Sequence, residues 1–217
     1  MSLELVDQLN GYAAGIARGE LAPVEVLYVD PAWKFRANSP DKPRGDLAHG
    51  RNASAHYRVM SLPEISALPV GRIVAEQSIC FMWITGPFLA VGAHIPIMRA
   101  WGFKPKAIGF TWIKLRKNAP GLFLDPKLDL HVGLGLTTRK NAEFVILGTR
   151  GKSMRQSRNV HEVGLFPRRE HSRKPDEFRT RIESYVGPGR VMVEMNARVQ
   201  HPGWIAMGDE VEMFNGK

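Results

Sequence analysis

Residues 24–33, Val-Glu-Val-Leu-Tyr-Val-Asp-Pro-Ala-Trp, constrain this chain more than any other stretch. Val24 to Val29 are mostly apolar and β-favouring, which predicts a short buried strand. Pro31 has no amide donor and a fixed φ, so the ladder must end there, and Asp30 is pushed into an extended conformation. An acid at the carboxyl end of a buried strand, followed by a rigid turn and an indole, makes a good ligand clamp. Ligands of open α/β sheets sit beyond these strand ends. An ordinary Asp-Pro turn, with Trp33 simply packing, fits the tetrapeptide equally well.

The remaining pattern is that of one α/β domain spanning 1–217. Residues 2–18 carry apolar Leu3, Leu5, Val6, Leu9, Ala13 and Ile16 at helical spacing, predicting a packing helix within 1–20. Residues 34–58 are polar, basic and broken by Pro40, Pro43, Gly45 and Gly50. So long an irregular stretch, placed directly after the tetrapeptide, reads as a substrate-facing loop. Ser61 and Pro63 start a short helix. Ile79–Thr85 and Ala107–Ile113 read as strands. Between them Pro87–Trp101 is a helix that Pro96 should kink or split. That strand–helix–strand run predicts a partly parallel sheet. Glu143–Leu147 reads as an antiparallel strand at the sheet edge. Residues 115–160 otherwise form a second substrate-facing region. Pro175, Asp176 and Glu177 open a helix that ends before Gly187, and Val191–Asn196 is the last strand. An acid at the end of that strand and Arg198 near a turn could hold ribose hydroxyls and a carboxylate; a terminal strand with a frayed tail fits the same residues.

Charge narrows the partner. The net charge is +9, which favours a polyanion, nucleic acid before membrane. Basic residues concentrate in 34–58, 99–117 and 139–158, and such runs predict a surface for a phosphate backbone. No apolar run approaches 18 residues and the N-terminus lacks a signal core, so a soluble, cytoplasmic protein is expected. One cysteine, Cys80, excludes an internal disulfide and any cysteine-rich zinc site. No His/Cys/Asp/Glu cluster has metal spacing, so no metal is expected. Gly133-Leu134-Gly135 is a poor match to a phosphate loop, and no nucleophile elbow occurs.

Several segments together resemble a known family. They are Asp30-Pro31-Ala32-Trp33, Tyr57-Arg58-Val59-Met60-Ser61, Phe81 to Gly86, Ala100 to Phe103, Trp112-Ile113-Lys114 and His171 to Glu177. In this order they resemble the N6-adenine methyltransferases of the superfamily that includes the catalytic subunit of the eukaryotic mRNA adenosine methyltransferase. The short bacterial and phage members, similar in size, act on DNA. The resemblance covers about 24–211. It implies a Rossmann-like methyltransferase sheet flanked by helices, with permuted motif order: catalytic strand first, donor-binding strand last.

By that resemblance the cofactor is S-adenosyl-L-methionine and the substrate is adenine in DNA. Asp30, Pro31, Ala32 and Trp33 form the catalytic tetrapeptide, in which Asp30 and the Pro31 carbonyl accept from the adenine amino group. Trp33 and Tyr57 border or stack on the base, and Ser172 lies close by. Asp30, Lys174, Glu194, Arg198, Asp209 and Glu210 surround the donor, with Lys174 on its carboxylate. This chain departs from the pattern at Ala32 (usually proline), Asn196 (usually aromatic) and Asp209 (often Asn). An RNA adenine methyltransferase is the nearest alternative, and an inactive nucleic-acid-binding partner subunit the alternative of another class. A homodimer is compatible with the sequence.

Overall fold

A computed structural model describes residues 3–34, 59–119, 129–133, 138–170 and 173–213. Among them, seven strands form one sheet in the order β5-β3-β4-β2-β1-β6-β7. The strands are β1 (Val24–Val29), β2 (Val74–Thr85), β3 (Lys104–Leu115), β4 (Ala142–Arg150), β5 (Val163–Pro167), β6 (Met192–Met195) and β7 (Trp204–Met207). All adjacent pairs are parallel except those of β4, which runs antiparallel to both β2 and β3. Strand β4 is therefore central, not at an edge as its short apolar run implied. Strands β5 and β7 complete the two edges and were not anticipated, because each has only four or five residues and no alternating apolar pattern.

Helices cover both faces, the arrangement of a Rossmann-like α/β methyltransferase. Helix α1 (Leu3–Ala17), α2 (Leu62–Ser66), α3 (Gly86–Ala90) and α4 (His94–Ala100) lie over one face, where Leu5, Leu9, Leu27, Val29, Cys80, Met82, Ile97 and Trp101 are buried together. Helix α5 (Glu177–Val186) lies over the other, packing Phe178, Ile182 and Val186 against Tyr28, Phe81, Trp83, Phe110 and Trp112. Burial on both faces explains why Ser78–Ile84 of β2 is one continuous buried run. Each fully buried Phe or Ile contributes roughly 1.5–3 kcal/mol.

Local chemistry sets the helix ends. Ser61 caps α2 in a two-way capping box with Glu64. The predicted break in the 87–101 helix is real but falls at Val91–Ala93. A proline ring clashes with the carbonyl four residues back, here that of Gly92. Gly92 takes φ +66, and its carbonyl accepts instead from the Ile95 amide at 3.0 Å. Pro96 itself sits in the first turn of α4, where its missing N–H costs nothing.

The parallel strands all end at one rim of the sheet. Because β4 runs the other way, it begins there: Thr85 at the end of β2 pairs with Glu143, and Trp112 of β3 pairs with the same residue.

Candidate active site

Asp30 extends β1 by one residue at this rim, and its side chain shares the α5 face with Tyr28. Lys174, just ahead of α5, reaches the same point. Its Nζ lies 2.8 Å from Asp30 Oδ2 and 3.2 Å from Glu143 Oε2. Lys114, at the end of β3, forms a further ion pair with Glu143. Two carboxylates and two ammonium groups therefore alternate across three strand ends and the approach to α5. Lys174 also sits 5.3 Å above the Trp83 ring and Lys114 4.8 Å above Trp112, so the cations rest on aromatic faces.

Burial works against the charged form of Glu143, but Lys174 and Lys114 overcome it and hold its pKa at about 2. Burial likewise disfavours the Lys174 ammonium, yet Asp30 and Glu143 raise its pKa above the ordinary lysine value. Glu143 and Lys174 thus stay ionised, and the formal charges of the four side chains sum to zero. Glu143 was not singled out in the sequence, because its position at the rim depends on β4 being antiparallel and central.

A small cleft of about 100 Å³ opens beside Asp30, lined by Pro31, Ala32, Asn196, Ala197, Arg198, Asp209 and Glu210. The strand-ends of β6 and β7 thus bring the second half of the predicted donor set to the tetrapeptide. Arg198 Nε donates to Glu210 at 3.0 Å. Asn196 Nδ2 donates to the Asp30 carbonyl at 3.0 Å.

Two expected ligand groups are engaged elsewhere. Glu194 is 8% exposed and lies within β6, where the Arg179 guanidinium grips both its oxygens at 2.5 and 2.8 Å. Burial pushes the Glu194 carboxyl up, and Arg179 opposes it; Arg179 is itself tied to Asp176. Glu194 therefore fixes α5 against β6 instead of facing the cleft. Trp33 is 4% exposed, stacks on Phe88 with centroids 4.9 Å apart, and donates from Nε1 to the Trp83 carbonyl at 3.3 Å. It anchors the tetrapeptide in the core, the packing role that an ordinary turn also allowed. Tyr57 and Ser172 lie outside the described residues.

The MT-A70 family pattern matches residues 24–210, from the first residue of β1 to Glu210 in the cleft. This chain belongs to the MT-A70 family. It is 30% identical over 199 residues to the type II methyltransferase M.MunI of a Mycoplasma species, covering 86% of this chain and 77% of that one. It is 25% identical over 192 residues to a putative MT-A70-like N(6)-adenosine-methyltransferase of Medicago truncatula, covering 86% of this chain but 26% of the plant protein. It is 27% identical over 202 residues to the N6-methyladenosine RNA methyltransferase MTA1 of Cryphonectria parasitica, covering 89% of this chain and 53% of the fungal one. The adenine-methyltransferase family expected from the tetrapeptide and the Lys174-Pro175-Asp176-Glu177 block is the family found.

The rim of this MT-A70 domain also carries positive charge. Arg116, His131 and Arg168 are gathered at the end of β3 by backbone hydrogen bonds from His131 to Lys114 and from Arg168 to Leu115, at 2.8 and 3.0 Å. Burial and the neighbouring Arg168, Lys114 and Arg116 lower the His131 pKa. The 34–58 run lies, but for Lys34, outside the described residues, and the other two basic runs do not each keep to one rim. A 12-residue strand such as β3 spans roughly 40 Å. Lys104 and Lys106 lie at its far end, away from Lys114, Arg116 and Lys117. Strand β4 divides its run likewise, with Arg139 and Lys140 preceding it at the site and Arg150, Lys152 and Arg155 at the opposite rim. No group of His, Cys, Asp and Glu among the described residues could hold a metal ion, and no described helix is long and apolar enough to cross a membrane.

Proposed function

We propose that this MT-A70 protein is an S-adenosyl-L-methionine-dependent methyltransferase that modifies N6 of adenine in DNA. The observation that carries the reading is the placing of Asp30 and Lys174 in contact, beside a cleft formed by 196–198 and 209–210. The side chains present suit the donor. Asp209 and Glu210 offer acceptors for ribose hydroxyls, Arg198 and Asn196 offer donors, and Lys174 offers a cation for a carboxylate. Bound S-adenosylmethionine supplies an electrophilic methyl group on a sulfonium.

The chain's residues supply orientation. An adenine amino group is a poor nucleophile because its lone pair is delocalised into the ring. Asp30 Oδ and the Pro31 carbonyl are acceptors that draw this group toward a tetrahedral geometry. The Pro31 carbonyl already receives the Trp33 amide at 2.8 Å and has a second lone pair to offer. Glu143 shares Lys174 with Asp30, so the lysine stays charged and aimed when Asp30 engages the base. Such a site works by positioning and preorganised charge.

Likeness supports DNA: identity is 30% to the Mycoplasma type II methyltransferase, against 25% to the plant and 27% to the fungal adenosine methyltransferase. The same reading puts the protein in the cytoplasm of a bacterial or phage-infected cell. Retention of both Asp30 and Lys174 argues against an inactive partner subunit. The test is methyl transfer from labelled donor to unmethylated DNA, adenine-methylated DNA and RNA. Transfer to unmethylated DNA above the other two is expected. Preferential transfer to RNA would reassign the substrate, and nucleic-acid binding without transfer to any of them would support the partner-subunit reading.

A further inference from the structure

We propose that Asn196 is a positioning residue for the Asp30–Pro31 clamp, holding a turn that Ala32 leaves underconstrained. The proposal rests on the methyltransferase reading for its functional meaning, though not for its structural content. Strands β1 and β6 pair in parallel through Val29 and Met195, and the Asp30 amide makes a last long rung to the Met195 carbonyl at 3.4 Å. Beyond that point β6 leaves the ladder, since Asn196 takes φ +55. The Asp30 carbonyl would then lose its ladder partner, and the Asn196 side-chain amide replaces it at 3.0 Å. Asparagine suits both requirements, because it tolerates the left-handed region better than most residues and carries a short amide donor.

Asn196 is itself braced. Gly208 (φ +142) approaches so closely that a Cβ there would lie 2.9 Å from the Asn196 Cα. The Gly208 amide donates to Gln8 Oε1 at 2.8 Å, and the Gln8 amide returns to the Gly208 carbonyl at 3.4 Å. A strut therefore runs from α1 through Gln8, Gly208 and Asn196 to Asp30. On the other side, Ala32 has an unrestricted φ between Pro31 and Trp33. Among the described residues its turn is held by Trp33 N–H to the Pro31 carbonyl, Met60 N–H to the Ala32 carbonyl and Lys34 N–H to the Met60 carbonyl, at 2.8, 2.7 and 3.0 Å, together with the buried indole. A rigid residue at 32 and an amide at 196 are alternative ways to fix the same peptide.

The experiment compares wild type, Asn196→Gly, Ala32→Pro and the double variant, reading amide hydrogen exchange at Trp33 and Met60 alongside the methyl-transfer rate. Glycine keeps the left-handed turn and removes only the amide. Asn196→Asp, equally tolerant of that turn, repeats the comparison if the glycine variant folds poorly. Asn196→Gly is expected to speed exchange at both amides by about fivefold, the value of one hydrogen bond, and to lower transfer similarly. In the Asn196→Gly background Ala32→Pro is expected to return both readouts toward those of the Ala32→Pro single variant, so that the two substitutions together cost less than the sum of their separate effects, the non-additivity of coupled residues. Unchanged exchange in Asn196→Gly, or purely additive effects of the two substitutions, would overturn the proposal. A wild-type protein that transfers no methyl group to any nucleic acid would count against the methyltransferase reading, and the exchange data would still decide on the strut.

Discussion

Lys174 Nζ lies 2.8 Å from Asp30 Oδ2 although 144 residues separate them in the chain. The contact joins the first strand to the approach to the last helix, and Glu143 completes it from the reversed strand between β2 and β3. Lys174 is the shared cation of two carboxylates and cannot be removed cleanly. Lys174→Ala leaves Asp30 and Glu143 close together with less compensation, a loss of roughly 3–5 kcal/mol for a broken buried pair. The expected result is a lower denaturation midpoint together with loss of S-adenosylmethionine affinity by calorimetry. Unchanged donor affinity in a folded Lys174→Ala protein would remove the lysine from the donor site.

Glu143 gives the site its pH limit. Its pKa is held at about 2, below the ordinary glutamate value of about 4.3. A depressed carboxylate stabilises the fold above its unfolded pKa and loses that contribution as pH falls through the folded one. Stability should therefore be flat near neutrality and fall between about pH 4.5 and 2, by roughly 3 kcal/mol from this group. The raised Lys174 works at the other end: its contribution persists below its ordinary pKa and disappears only at strongly alkaline pH. Urea unfolding of Glu143→Gln at pH 7 and pH 3 checks this. The variant is expected to be less stable at pH 7 and to show a shallower acid decline than wild type.

Gly208 is a second point of sensitivity. Its φ of +142 and its closeness to the Asn196 Cα leave no room for a methyl group. Gly208→Ala should destabilise the protein by about 1–3 kcal/mol and weaken donor binding through displacement of Asp209 and Glu210. Thermal melts and donor titration together test the pair of effects.

The division of basic residues between the two rims predicts unequal roles. Arg116→Ala and Arg168→Ala should each weaken DNA binding and reduce its salt dependence by about one counterion, whereas Lys104→Ala and Lys106→Ala should do neither. Binding titrations across a salt series distinguish the two sets.

Much of this was legible in the chain itself. The tetrapeptide, the main strands and the helix from Pro175 announce themselves through apolar runs and fixed backbone chemistry, and the family resemblance singles out Lys174, Arg198, Asp209 and Glu210, which the fold gathers near Asp30. What escaped depends on pairing. Nothing local to Glu143 says that its strand is reversed and central, which alone brings it to the rim. The engagement of Glu194 by Arg179 is equally non-local, since nothing in the sequence around either residue names the other as its partner. Trp33 had two readings, and the stacking on Phe88 that decides its orientation lies 55 positions away. Asn196 stands out in sequence only as a departure from the family pattern, because its partner, a backbone carbonyl, has no signature there.

In the proposed reaction Asp30 holds the acceptor amino group while the donor cleft stands beside it. Single-turnover methyl transfer to unmethylated DNA by Asp30→Ala, with donor saturating and the fold verified by its melting curve, tests it most directly. The expected result is a fall of about a hundredfold or more in the transfer rate, on the scale of losing a preorganised polar contact at the reacting group. Transfer at the wild-type rate by a folded Asp30→Ala protein would contradict it.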